Sequence, residues 1–93
     1  MSYELEFHDQ ALKEWHRLDG SVRAALKKKL AERLESPHII NDLFHTPHGV
    51  RYKIKHKAFR LIYAVDDSSR RLRVLGIGKR ERGEAYANAV ERH

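Results

Sequence analysis

Three stretches in the second half of the chain restrict its fold more than anything else: Tyr52-Lys53-Ile54-Lys55, Phe59-Arg60-Leu61-Ile62-Tyr63, and the apolar run over residues 72–78. Side chains along a strand alternate between two faces, so Tyr52 and Ile54 point one way while Arg51, Lys53 and Lys55 point the other. Phe59, Leu61, Tyr63 and Val65 likewise share a face that Arg60 avoids. Asp66-Asp67-Ser68-Ser69 supplies turn residues between the last two strands, and the short step from Lys55 to Phe59 suits another hairpin. The pattern predicts strands over residues 50–55, 59–65 and 72–78, in an antiparallel sheet with one oily face and one basic stripe. Leu75 and Ile77 break the alternation of the last strand, which implies partial cover over the second face as well.

The N-terminal half reads differently. Tyr3, Leu5 and Phe7 recur at every second residue and predict a first strand with one buried face. Asp9 is placed to cap a helix in which Ala11, Leu12, Trp15 and Leu18 form an apolar stripe. Asp19-Gly20 ends that helix, and Ser21 can cap a second. There Val22, Ala25, Leu26, Leu30 and Leu34 line one face, while Arg23, Lys27, Lys28, Glu32 and Glu35 can stay in water. Pro37 stops it, so the two helices should form an antiparallel hairpin. Residues 38–49 hold no sustained period and contain Pro47 and Gly49, which predicts a loop. Residues 81–92 have helix-forming composition, with Ala85, Tyr86, Ala89 and Val90 on one side. The expected architecture is α+β: an N-terminal strand and helical hairpin packed on a small antiparallel sheet, with a short C-terminal helix.

At 93 residues, one domain spanning 1–93 is expected, because a chain this short buries only roughly 60–65% of its unfolded surface. Its core must rest on a few residues, among them Phe7, Trp15, Phe59 and Tyr63. The lack of cysteine removes disulfides and thiolate metal sites and fits a reducing cytoplasm, the expected location. No apolar run nears the roughly 20 residues of a membrane span, and residues 1–7 alternate rather than build a signal-peptide core. No membrane partner is expected. A formal net charge of +6 points to a nucleic acid or an acidic protein as partner, without choosing between them.

In this order and spacing the residues resemble the RelE family of bacterial toxins, the ribosome-dependent mRNA interferases of type II toxin–antitoxin pairs. The likeness is carried by Phe7, Ala11-Leu12-Lys13-Glu14-Trp15, Leu26-Lys27-Lys28-Lys29-Leu30 and Leu34-Glu35-Ser36-Pro37. It continues through Tyr52-Lys53-Ile54-Lys55, Arg60-Leu61-Ile62-Tyr63 and Gly78-Lys79-Arg80-Glu81-Arg82, followed by Tyr86. The resemblance implies a compact α+β fold and cleavage of mRNA in the ribosomal A site. It also implies a cognate RelB-like antitoxin, which wraps the toxin and takes part in binding operator DNA. The chain departs from the family pattern in its loop, where Leu43-Phe44-His45-Thr46-Pro47 stands in place of a Leu-Arg-Gly type of sequence.

Metal-free RNA cleavage needs one group to take a proton from the 2′-hydroxyl and another to protonate the departing 5′-oxygen. Cations stabilise the charge gathered on phosphorus. Here the candidates are Lys53 and Lys55 for proton removal and transfer, Arg60 and Arg80 as a phosphate clamp, and Tyr86 to position or deprotonate the 2′-hydroxyl. Base and acid stay unassigned among them, because coupled groups titrate together. Arg51, Lys79 and Arg82, with Lys27 and Lys28 on the second helix, are candidate contacts to RNA or the ribosome. His45 and His48 lie three apart, but Pro47 between them prevents a regular helical metal pair, so no metal or other cofactor is expected. Two rival functions are a gyrase-targeting toxin of the same fold, which does not need this residue set, and a non-catalytic RNA- or antitoxin-binding module.

Overall fold

The computed structural model describes residues 2–93. Among them, five strands form one sheet: β1 (Glu4–Phe7), β2 (Leu43–Thr46), β3 (Gly49–His56), β4 (Phe59–Asp66) and β5 (Arg71–Lys79), in the order β1-β5-β4-β3-β2. β2 to β5 pair antiparallel, whereas β1 pairs parallel with β5, Leu5 opposite Leu72 and Phe7 opposite Val74. The sheet is therefore mixed at one edge. β5 is buried on both faces of the sheet, with Val74 and Ile77 in one core and Leu75 in the other, so it reads as an almost continuous apolar run instead of an alternation.

Helices α1 (Asp9–His16) and α2 (Gly20–Glu35) cover one face. Leu26 and Leu30 of α2 pack with Ile54, Leu61, Tyr63, Leu72, Val74 and Ile77 into the main core. Each such fully buried aliphatic side chain contributes about 1.5–3 kcal/mol. The caps sit one residue (α1) and two residues (α2) before their expected places. His8 caps α1 by accepting the Gln10 N–H at Nδ1 (3.1 Å), leaving Asp9 in the first turn, where its charge complements the helix dipole. Asp19 caps α2 by accepting the Ser21 N–H (3.1 Å), so Ser21 is already helical.

The expected loop over residues 38–49 is more ordered than its lack of period suggests. A 3₁₀ turn (Ile40–Asp42) leads directly into β2, an edge strand of four residues that pairs Phe44 with Arg51 and Thr46 with Gly49. Its Leu43-Phe44-His45-Thr46 puts two apolar residues side by side and displays no alternation. The C-terminal helical region is also divided: a 3₁₀ turn (Arg80–Arg82) and a left-handed Gly83 (φ +60°) precede α3 (Glu84–Ala89). No helix among the described residues is long and apolar enough to cross a membrane.

α3 covers the second face, as the broken alternation of β5 implied. Its Ala85 and Ala89 pack on Ile62 and Leu75. The register slips by one between Ile62–Gly76 and Tyr63–Val74, leaving Leu75 as an extra residue bulged toward α3. The close approach depends on glycine. A Cβ on Gly78 would stand 2.8 Å from the Ala85 amide nitrogen, and one on Gly76 would stand 2.9 Å from the Ala85 oxygen. Gly78→Ala is accordingly expected to destabilise the fold by about 1–3 kcal/mol, measured as a lowered urea midpoint at constant slope.

β1 ends opposite Val74, and side chains satisfy the edge of β5 beyond it. The Ile77 N–H donates to Glu14 (3.0 Å), Asn88 donates to the Ile77 carbonyl (3.0 Å), and Arg92 donates to the Leu75 carbonyl (2.9 Å) while pairing with Glu14 (2.9 Å). Within β1, Glu6 stands opposite Arg73 and accepts from Arg71 (2.8 Å) and Arg73. These hydrogen bonds hold its carboxyl below the ordinary carboxylate range. A depressed carboxylate stabilises the fold above its unfolded pKa and loses that contribution as pH falls through the folded value. The urea midpoint of the wild type should therefore drop more steeply below about pH 4.3 than that of Glu6→Gln.

Candidate active site

The basic stripe falls on the face that α3 shares. Lys53 stands opposite Ile62, the residue under α3, and Lys55 stands opposite Arg60, which in turn stands opposite Gly78 beneath the start of α3. Residues directly opposite in antiparallel strands point to the same face, so Lys53, Lys55 and Arg60 form one cationic row. Lys53 and Arg60 are half-buried and Lys55 is exposed.

Arg80 joins the row through its backbone. Its N–H donates to the Ala58 carbonyl (2.6 Å), tying the end of β5 to the turn between β3 and β4. The Arg60 guanidinium donates to the carbonyls of Lys57 (3.1 Å) and Phe59 (2.7 Å), which fixes its stem at the same turn. Asp66 and Asp67, the acids that follow β4's apolar run, lie at the far end of that strand from Arg60 and are engaged elsewhere. Asp66 accepts from Ser68 and Ser69, while Asp67 accepts from the Tyr3 hydroxyl and pairs with His38. Among the described residues, Lys53, Lys55, Arg60 and Arg80 make no ion pair. Cations held at fixed positions without carboxylate partners are suited to an incoming anion.

Tyr86 approaches from α3. Its ring meets Phe44 of β2 edge-on at 5.4 Å between centroids, and it lines a cavity of about 210 Å³ with Ile62, Ala89, Val90 and Arg51. The phenol is half-buried, and its hydroxyl has no hydrogen-bond partner among the described residues. Ile62 links the two halves of the site, because it lines the cavity and also faces Lys53 across the ladder.

The outer candidates separate. Lys79 and Arg82 are exposed on either side of Arg80, next to the row. Lys27 and Lys28 are exposed on α2, which packs on the opposite face of the sheet. Arg51 does not stand on the outer surface as an RNA contact would. It is 6% exposed and donates to the Val50 carbonyl (2.9 Å), and burial draws its pKa below the ordinary arginine value. Its side chain lies beside Phe44 of β2, whose pairing was not legible in the sequence, and shares the cavity with Tyr86, Ala89 and Val90. His45 is exposed, while His48 pairs with Glu91 (3.5 Å) and stacks on His93.

One residue near the site had no sequence signal. Arg33 of α2 donates to Asp42 (2.8 Å), to the Tyr63 hydroxyl (2.9 Å) and to the Lys53 carbonyl (3.3 Å). In the sequence it is another charged residue on an amphipathic helix.

Comparison with known proteins agrees with this geometry. The family described as ParE toxin of type II toxin-antitoxin system, parDE, matches residues 5–83. Across 93 aligned residues the chain is 46% identical to the mRNA interferase toxin RelE of Escherichia coli K12, covering 99% of this chain and 98% of the relative. It is similar to the same extent to the mRNA interferase RelE of Shigella flexneri. Among solved structures, a mutant of E. coli RelE in the free state superposes with a TM-score of 0.85 at 44% identity, covering 98% of this chain and 97% of that one. A mutant of the same toxin in complex with the antitoxin RelBc peptide superposes with a TM-score of 0.78 at 44% identity, covering 100% and 99%.

Proposed function

Since the chain belongs to the RelE family of type II toxin–antitoxin toxins, we propose that it is an mRNA interferase: an endoribonuclease that cuts mRNA in the ribosomal A site. The observation that carries this reading is the row of Lys53, Lys55 and Arg60, without ion-pair partners among the described residues, on the side of the sheet that Tyr86 covers, with the Arg80 backbone anchored at the turn that ends the row. The ParE description covers the part of the fold before Tyr86, whereas the likeness to RelE proteins runs through it. That favours RNA over gyrase as the target.

In this reading the 2′-oxygen attacks the adjacent phosphorus and the bond to the 5′-oxygen breaks, leaving a 2′,3′-cyclic phosphate and a 5′-hydroxyl. Tyr86 positions or deprotonates the 2′-hydroxyl, and Lys53 and Lys55 carry protons to and from the reacting oxygens. Arg60 and Arg80 hold the phosphate and stabilise its growing negative charge. Lys79 and Arg82 extend the contact to neighbouring phosphates, and Lys27 and Lys28 offer a separate contact to ribosomal RNA. The ribosome contributes by holding mRNA in an in-line geometry that a shallow, half-open site cannot impose on free RNA. A RelB-like antitoxin is the proposed inhibitor, and operator DNA is reached only through that complex. The proposed setting is the cytoplasm, with residues 1–93 acting as one toxin domain.

The test is to add the purified protein to ribosomes stalled on a defined mRNA and to map the new 5′ ends. Cuts in the A-site codon, absent on naked RNA, are expected. Intact mRNA, or DNA breaks in the presence of gyrase, would overturn the proposal.

A further inference from the structure

β2 pairs with β3 only as far as Leu43–Tyr52. Beyond Tyr52 the outer edge of β3 has no neighbouring strand among the described residues, and this bare segment carries Lys53 and Lys55. An unpaired edge leaves carbonyls without ladder partners and a backbone free to twist. Here α2 supplies the missing donors from the side. Arg33 donates to the Lys53 carbonyl (3.3 Å), and Lys29 donates to the Lys55 carbonyl (2.6 Å). Two successive outward carbonyls of the strand are thus each held by a cation, the two cations standing four residues, just over one turn, apart along one helix face.

Arg33 is itself braced. Its second Nη pairs with Asp42 (2.8 Å), just before β2, and its first also donates to the Tyr63 hydroxyl (2.9 Å), with the guanidinium 5.8 Å from the Tyr63 ring centroid. Tyr63 in turn donates to the Pro37 carbonyl (2.7 Å), at the end of α2. One side chain therefore joins α2, the entry to β2, the bare edge of β3 and the buried centre of β4. At 17% side-chain exposure, Arg33 is screened from water enough for these bonds to hold it in one geometry.

We infer that Arg33 and Lys29 are positioning residues for cleavage: by clasping the Lys53 and Lys55 carbonyls they set the orientation from which both lysine side chains reach the phosphodiester. Neither touches the substrate, because both come from the opposite face of the sheet. A peptide plane that rotates at a bare edge swings the Cβ vectors on either side of it, and a long lysine side chain magnifies the swing at its ammonium. This inference rests on the reading that Lys53 and Lys55 act in cleavage.

The experiment compares wild type, Arg33→Met, Arg33→Lys and Lys29→Met in single-turnover cleavage on stalled ribosomes, with ribosome affinity measured separately. Arg33→Met is expected to slow cleavage about ten- to a hundredfold, the scale of a small misplacement of reacting groups, with affinity for the ribosome unchanged. Arg33→Lys should recover part of the loss, because an ammonium can still reach the carbonyl. Lys29→Met removes the clasp from a side chain outside the core and should slow the rate in the same direction, so the inference stays open to failure even if Arg33→Met does not fold. In NMR spectra of the free protein, the Arg33 or Lys29 variants should shift the Lys53, Ile54 and Lys55 signals while those of β1 stay in place. Unchanged rates, a loss confined to ribosome affinity, or unmoved β3 signals would overturn the inference. A wild type that cuts no mRNA would instead overturn the functional reading, and the NMR comparison would still decide the clasp.

Discussion

Tyr86→Phe is expected to slow mRNA cleavage on the ribosome by about 10²–10⁴-fold, the range for removing a group that transfers or positions a proton. The substitution is clean in this fold. The Tyr86 ring packs edge-on against Phe44, and phenylalanine keeps that contact. Its hydroxyl holds no hydrogen bond among the described residues, so nothing buried is left unsatisfied and the unfolding midpoint should not move. A large loss of rate at constant stability would then belong to the chemistry. A loss of less than about tenfold would make Tyr86 a wall of the cavity, with proton transfer left to the lysines. A binding module without catalysis would keep its affinity for ribosomes in either case and would show no cleavage to lose.

The second large effect is expected at Arg80. Arg80→Ala should lower the single-turnover rate by about 10²–10³, the cost of removing one donor aimed at developing charge. What distinguishes Arg80 from Lys79 and Arg82, also exposed, is its docking. The Arg80 N–H anchors to the Ala58 carbonyl (2.6 Å) beside the turn that fixes Arg60. Lys79→Ala and Arg82→Ala should mainly weaken binding and reduce its salt dependence, as lost phosphate contacts do. If Arg80→Ala behaved like them, with affinity lost and rate retained, Arg80 would be a phosphate contact and Arg60 alone would stabilise the transition state.

The legible and illegible parts of this chain divide along the range of the interactions that decide them. Alternation over residues 50–65 identified both hairpin strands and the face each residue takes, because pleating enforces a period of two whatever lies nearby. The same period placed Lys53, Lys55 and Arg60 on one face, and the ladder agrees. β2 escaped notice because Leu43-Phe44-His45-Thr46 carries no alternation. Its presence buried Arg51, whose position in the strand otherwise resembles that of Lys53. The helix caps moved by one residue in α1 and two in α2 for a local reason: His8 and Asp19 each had a side-chain acceptor two residues before an open N–H, an arrangement the nearby Asp9 and Ser21 made hard to single out.

Pattern and chemistry along the sequence were enough to determine antiparallel, cation-studded strands under a helical pair, and the face that Lys53, Lys55 and Arg60 share. Those features depend on each residue's identity and on the parity of its position. The tertiary structure alone decided how the sheet's incomplete edges are finished. β1 stops at Val74, and Glu14, Asn88 and Arg92 complete β5; β2 stops at Tyr52, and Lys29 and Arg33 complete β3. A backbone group takes whichever donor or acceptor the fold brings within reach, so its partner can come from anywhere in the chain and leaves no period to read.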